Sequence, residues 1–367
     1  MAATTTIHYP ICPAHLLHRM DSVTQLVLGS AVSIATLGRR TAVWKAALWG
    51  GIAGTLPDLD ALIDHGDAIL NMVLHRAESH ALLYLTLLSA PLAWLVSRLH
   101  REPDLFTRWW LALWLALVTH PLLDWMTVYG TQLLLPLTNT PYAVGSVFII
   151  DPLYTLPLLL GVLLALLLRH GRGIAWARAG LVLSTAYLGW SVAAQQMATQ
   201  RFLAHAPVPQ LAPGHLLVTP APFNTLLWRA MAVTPTHYYE GYYGLLDGDR
   251  PVRWTAHERG ADLYARYQGN ALVDRIARFS HGFFKMSEAG GEVFITDLRM
   301  GNEPTYTFHF NLGSPAEMAG GQRPTTQQWQ RPDLATALPW LWARMWGADV
   351  AQAPPQAVRG QPSGSRP

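Results

Sequence analysis

The chain has one cysteine, Cys12, among 367 residues. A lone cysteine cannot close an intramolecular disulfide, and it excludes a zinc site built from thiolates. Charge is also scarce. Asp, Glu, Lys and Arg make up 13% of the chain, about half the roughly 25% usual in soluble proteins. A net charge of +3, with the basic residues dispersed through short loops, excludes the basic face that a nucleic-acid partner requires. No His-Glu-x-x-His occurs, so intramembrane proteolysis has no motif to carry it. No internal repeat is found. The first 19 residues, with His15, His18 and Arg19, lack the basic-then-apolar order of a signal peptide. Residues 1–19 are expected to be a disordered extension, and Met20-Asp21-Ser22 reads as a more natural beginning, a cap followed by an apolar run.

Hydrophobic residues, 51% of the chain, crowd into the first 195 positions. Apolar runs over 22–37, 43–56, 80–98, 109–125, 151–168 and 174–194 predict about six membrane helices. The first two are short and rich in small residues (Gly29, Ser30, Gly50, Gly51, Gly54), which suits close helix–helix contact in a membrane. The run 109–125 has Trp109, Trp110 and Trp125 at its ends, as interfacial anchors do. Between Met20 and Ala194 there are ten Lys and Arg. Nine fall in three loops, around Arg39, Arg98 and Arg169, and the tenth is Arg76. The positive-inside tendency makes those three loops cytoplasmic. The segments 57–79 and 126–150, and everything after Gln195, then lie outside.

Beyond Gln195 the character changes. Prolines from Pro207 to Pro235 mark an irregular passage. Runs at 252–255, 292–296 and 305–310 read as strands, and 334–346 reads as a helix. The expected fold is therefore an all-α multi-pass membrane domain over 20–195. A smaller α+β soluble domain, extracytoplasmic, follows over 196–350. Residues 351–367, rich in Pro, Gln, Gly and Ser, are expected to be a disordered tail.

The candidate ligands of the first domain, Asp58, Asp60, His75, His80, His120, Asp124 and Asp151, all fall on the outer side. His120 and Asp124 stand at i and i+4 and share a helix face. They are either two ligands of one ion, an imidazole held by a carboxylate, or a hydrogen-bonded pair closing a helix end. His75 and His80 are not a same-face pair, which places one in the loop and the other in a first helical turn that Ser79 can cap. Asp58 and Asp60 follow Pro57 in a turn and can both reach one cation or bridge two. Asp64 and Asp67 read as solvated loop acids, and Asp151 before Pro152 as a helix cap. Mixed imidazole and carboxylate donors suit Zn²⁺, Mn²⁺ or Fe²⁺ better than Cu⁺ or Ca²⁺. Ionisable groups at helix ends fit a transporter poorly, because transport sites lie near mid-membrane on broken helices.

Five blocks together carry a resemblance: Met20 to Gln25, Gly54 to Asp60, His75-Arg76 with His80, His120 to Trp125, and Ser146 to Pro152. Over about residues 20–195 the chain resembles the YdjM-like family of bacterial inner-membrane metal-dependent hydrolases. Asp297 to Gly301 is similar to the extra C-terminal region of its longer members. Glu78 departs from the pattern, standing where the family has an uncharged residue. The family is distantly similar to zinc-dependent phospholipases C and related nucleases. The resemblance implies phosphoester hydrolysis at a divalent metal, zinc first, with Asp58, Asp60, His75, His80, His120 and Asp124 as ligands. Glu78 or Asp60 is the expected proton acceptor. Arg76, the one cation outside, is expected to pair with a phosphate. A lipid or lipid-linked phosphoester is the expected substrate. The alternative is a non-catalytic membrane protein whose ion is structural.

Overall fold

In the computed structural model, residues 21–168, 171–209, 211–212, 214–320, 325–329 and 333–350 are described. The expected extension 1–19 and tail 351–367 lie outside them, as does Arg169. Helices come first: α1 (Asp21–Leu37), α2 (Val43–Thr55), α3 (Ala68–Leu74), α4 (Leu82–Leu99), α5 (Phe106–Met126), α6 (Pro152–Leu167) and α7 (Arg172–Ala204). Small residues set their spacing. A Cβ on Gly29 would fall 2.2 Å from the Gly50 carbonyl oxygen, and one on Gly54 2.5 Å from the Gln25 carbonyl oxygen. The backbones of α1 and α2 therefore touch, as the glycine density predicts. The pair α6 and α7 repeats the device, since a Cβ on Gly180 would meet the Pro157 carbonyl at 2.4 Å.

Among the described residues, α4 alone is long and apolar enough by itself to cross a membrane. The apolar stretches Ser22–Leu37 and Pro152–Leu167 are shorter. The helix expected over 174–194 runs on to Ala204. Its polar extension is held because Ala198 and Phe202 bury against Trp228 and Tyr243 of the following sheet.

That sheet is antiparallel in the order β1 (Leu216–Pro220), β2 (Leu227–Val233), β3 (His237–Gly244), β4 (Trp254–Glu258). Then come α8 (Ala261–Tyr267) and α9 (Ala271–Phe279). A second sheet follows, β5 (Phe284–Ala289), β6 (Glu292–Asn302), β7 (Thr305–Gly313) and β8 (Thr326–Gln327), with α10 (Pro315–Gly320) between its last two strands. The last helix is α11 (Leu334–Met345). The strands expected at 252–255, 292–296 and 305–310 overlap β4, β6 and β7, while β1 and β2 occupy the passage expected to be irregular and β3 follows it. The two regions are not cleanly divided at 195/196. Ile69 and Met72 of α3 share a core with Phe279, Phe308 and Phe310. Asp67, expected to be solvated, caps α3 by accepting from the amides of Ile69 and Leu70 and also takes the amide and hydroxyl of Thr325.

Candidate metal centre

Four side chains from three separate elements converge at one end of the helices. Asp58 sits in the 3₁₀ turn Pro57–Leu62 that follows α2, His80 in the turn Glu78–His80 before α4, and His120 and Asp124 on one face of α5. Each offers one donor atom, and these four atoms all lie within 4.8 Å of one another. His80 Nε2 is 3.0 Å from His120 Nε2. Asp124 Oδ2 is 3.2 Å from the first and 3.3 Å from the second. Asp58 Oδ1 is 3.5 Å from His80 Nε2 and 3.4 Å from His120 Nε2. Donors about 2.1 Å from one tetrahedral ion would stand about 3.4 Å apart. The five separations therefore fit a single ion.

The hydrogen bonds around the cluster fix which way its lone pairs face. His120 Nδ1 lies 2.6 Å from the Gly54 carbonyl oxygen. A carbonyl only accepts, so Nδ1 carries the hydrogen and the lone pair is on Nε2. Ser79 Oγ gives its one proton to Asp60 Oδ2 at 2.5 Å, so at 2.9 Å it accepts from His80 Nδ1. His80 is thereby held with Nε2 inward as well. Two bare imidazole nitrogens 3.0 Å apart repel unless a cation or a proton lies between them. Asp124 Oδ2, fully buried, accepts no hydrogen bond, whereas its other oxygen takes Gln25 Nε2 at 3.1 Å and Arg76 at 3.2 Å. A buried acceptor left without a donor is costly. One ion of positive charge would satisfy all three atoms, so the residues fit the metal that the sequence implies.

Electrostatics favour the same conclusion. Burial pushes Asp58 up, but His120 and His80 outweigh it and hold the carboxyl below the usual carboxylate range. Asp60 behaves alike, lowered by His75 and His80 against its own burial. Burial pushes His80 down, yet Asp124, Asp58 and Asp60 together carry it up to about 9. The cluster is a pocket of negative potential that attracts positive charge.

The other expected site residues fall around this centre. Asp60 and His75 are not in the four-residue group. Asp60 accepts from His75 Nδ1 at 2.8 Å, from the Arg76 amide at 3.0 Å and from Ser79, so its oxygens are committed to bracing the turn. Ser79 does not cap α4: Ala81 takes that position with no side-chain bond. Glu78 is exposed and stands apart from the cluster. Arg76, expected to meet a phosphate, is instead buried against Asp124 and Thr127, with its guanidinium 5.0 Å over the Tyr129 ring. Its φ of 63° is a left-handed conformation rare outside glycine. Asp151 does cap α6, accepting from the Leu153 amide. Asp297 pairs with Arg299, whose Nη1 donates to the Tyr129 carbonyl. His281 lies against the Pro141 carbonyl. Both side chains are engaged by contacts within the fold. Gln25 was not among the candidates. Its signal is an amide side chain on an otherwise apolar, small-residue helix, where a polar group needs a reason.

All of these helical residues lie in one stretch that comparisons with known proteins single out. The uncharacterized protein YfhP of Bacillus subtilis (strain 168) is 29% identical over 139 residues, which are 36% of this chain and 42% of that protein. The similarity thus spans less than half the length of that relative. No solved structure matches the chain. Residues 20–198 match the family model described as YdjM inner membrane protein, and the helical region of this chain belongs to that family.

Proposed function

We propose that this protein is a multi-pass membrane metalloenzyme that hydrolyses a phosphoester, lipid or lipid-linked, at the outer face of the inner membrane. The ion is divalent, with zinc the best match to two imidazoles and two carboxylates. One observation carries the reading: two bare Nε2 atoms and an unpartnered carboxylate oxygen converge on one point. His80, His120 and Asp124 are fully buried and hold the ion's inner side, while Asp58, the part-exposed member, stands where substrate arrives. A divalent ion held there would supply a Lewis acid and would lower the pKa of a water on it. Asp58, kept ionised, accepts the proton in place of the exposed Glu78. Asp60, through Ser79, keeps the hydrogen of His80 on Nδ1.

Six crossings rest on the distribution of Lys and Arg and on the tryptophans. Exposed Trp44, Trp94, Trp110 and Trp176 sit at the helix ends beside the arginine-rich loops, Trp125 at the opposite end of α5, and Trp190 partway along α7. A site at the helix ends opposite the arginines then lies at headgroup depth.

The test is detergent-purified protein assayed for metal content and for release of phosphate or alcohol from lipid phosphoesters. The proposal expects about one ion per chain, and turnover that disappears in His80→Ala. A folded protein with no ion sinks it. A second reading has a specific support: four protein donors at tetrahedral spacing also describe a closed structural site. An ion that is present, whose removal unfolds the helices and which supports no turnover, selects that reading.

A further inference from the structure

The final helix, α11, does not have the exterior of a soluble helix. A solvated helix carries charge on its outer face. The one charged residue of α11, Arg344, is buried, with its guanidinium bidentate on Asp247 at 2.8 and 2.5 Å. Along its outer side Leu334, Leu338, Trp342 and Trp346 follow one another at intervals of four and form a single stripe. Trp342 is 63% exposed and Trp346 55% exposed, and the two rings meet edge to face.

The stripe leads toward the membrane helices. Gly347, just beyond α11, lies against Leu246, itself exposed, at the end of β3. The next residue inward, Leu245, gives its amide to the Leu226 carbonyl in the turn that joins β1 to β2. That turn is clamped to α7, because Thr225 Oγ1 takes Trp190 Nε1 at 3.1 Å and lies 3.2 Å from the Tyr187 hydroxyl. Phe223, exposed on the same turn, rests edge-on against Phe148. Trp190 and Tyr187 lie on α7 away from the arginine-rich loop at its start, so this end of the first sheet is tied to the outer side of the helices.

We infer that α11 and the adjoining sheet end form a lipid-docking surface: Trp342, Trp346, Leu246 and Phe223 enter the outer headgroup region and seat the C-terminal region on the bilayer. The inference rests on the membrane residence proposed above. Tryptophan is suited to this depth, since its ring is apolar and its N–H is polar. The stripe itself holds no charged side chain, and its aromatics lose little by leaving water; the exposed charges nearest it, Asp333 before Leu334 and the Arg253–Asp349 pair beyond Trp346, lie at its two ends. Residues 351–367 are poor in apolar side chains and have little to offer this stripe. Seated this way, the C-terminal region also fixes the height of the centre. Through Arg299 and the Tyr129 carbonyl it grips the loop that carries Tyr129 over Arg76.

The test uses the full chain with Cys12→Ser, reconstituted in vesicles of phosphatidylethanolamine and phosphatidylglycerol. Single spin labels go on Trp342→Cys and Trp346→Cys. Glu288→Cys, exposed near the end of β5, serves as the aqueous reference, and Leu87→Cys on the outside of α4 as the bilayer reference. Collision with oxygen is compared with collision with a nickel chelate. The labels at 342 and 346 are expected to shift severalfold toward oxygen relative to 288. If 87 reports lipid while 342 and 346 match 288, the docking surface is overturned and the membrane reading stands. If 87 also reports water, both fall. If 342 and 346 lose both collisions and show spin–spin broadening, a second copy of this chain covers the stripe and the lipid proposal is overturned.

Discussion

Buried charge occurs in both regions of the molecule, and it is handled in opposite ways. In the sheets every buried carboxylate meets a guanidinium: Arg229 Nε on Glu240 at 2.5 Å, Arg299 on Asp297 at 2.6 Å, Arg344 on Asp247 at 2.5 Å. Donors and acceptors are matched inside the protein. At the helix ends the bookkeeping does not close. With both rings neutral, His80 Nε2, His120 Nε2 and Asp124 Oδ2 are all acceptors that face one another, and only a proton or an ion can satisfy them together. The first arrangement is complete without a ligand and the second is not. Burial and proximity of charge are therefore weak signs of a site. The direction of the lone pairs is the stronger one.

The largest expected effect separates the two arrangements. His80→Ala or Asp124→Ala should weaken metal binding by about 100-fold or more, beyond the 10- to 100-fold attached to outer partners. Both variants should remain in the membrane, because the glycine contacts that join α1 to α2 involve neither side chain, although Asp124→Ala also removes the Gln25 hydrogen bond from α1 to α5. The mirror experiment is Arg229→Met. Leaving Glu240 buried without its partner should cost about 3–5 kcal/mol, read as a lower melting temperature in detergent, with metal content unchanged. If Arg229→Met loses metal while His80→Ala keeps it, the contrast drawn between the two regions is wrong.

The next effect is pH dependence. In the ion-free protein His80 holds a proton up to about pH 9, and an ion must displace it. Below that value a protonated His80 competes with metal. Apparent affinity should therefore fall by at least about tenfold for each pH unit lost. Competition with a chelator across the range from about pH 6 to about pH 9 measures it. A flat profile would mean that His80 is not a ligand.

How far the sequence revealed this depended on spacing along the chain. His120 and Asp124 stand one helical turn apart, so their convergence could be read directly. Asp58 and His80 were legible as candidates because they flank apolar runs on the side opposite the arginine-rich loops. Which of the neighbouring groups would touch the ion was not legible. Asp60 and Asp58 differ by two positions in a 3₁₀ turn, and the turn's geometry sends one inward and the other to Ser79 and His75. Gln25 was hidden because it approaches Asp124 from 99 positions away. Its nearness depends on Gly29, Gly50 and Gly54 letting α1 and α2 touch. In the sheets, β2 escaped notice because all seven of its residues, Leu227 to Val233, are buried. A strand covered on both faces shows no alternation to read, and Arg229 interrupts its apolar run.

The smallest effects test the division within the site itself. Ser79→Ala removes the acceptor that holds His80 Nδ1, and it releases an Asp60 oxygen. Metal affinity should drop by about tenfold, the lower end of what such orienting partners contribute. The number of ions bound at saturation should not change, because the four donors survive. Glu78→Gln sits one residue earlier in the same turn and removes a full charge. It should leave affinity within about twofold, since an exposed charge outside the cluster is screened by water and salt. Chelator competition on the two variants side by side reads both numbers. The sequence alone ranks Glu78 above Ser79, because a carboxylate is the more obvious ligand or base. The structure ranks them the other way, because Ser79 lies on the hydrogen-bond path from Asp60 to His80 and Glu78 does not. A larger loss in Glu78→Gln than in Ser79→Ala would restore the sequence ranking and move the edge of the site outward to include that carboxylate.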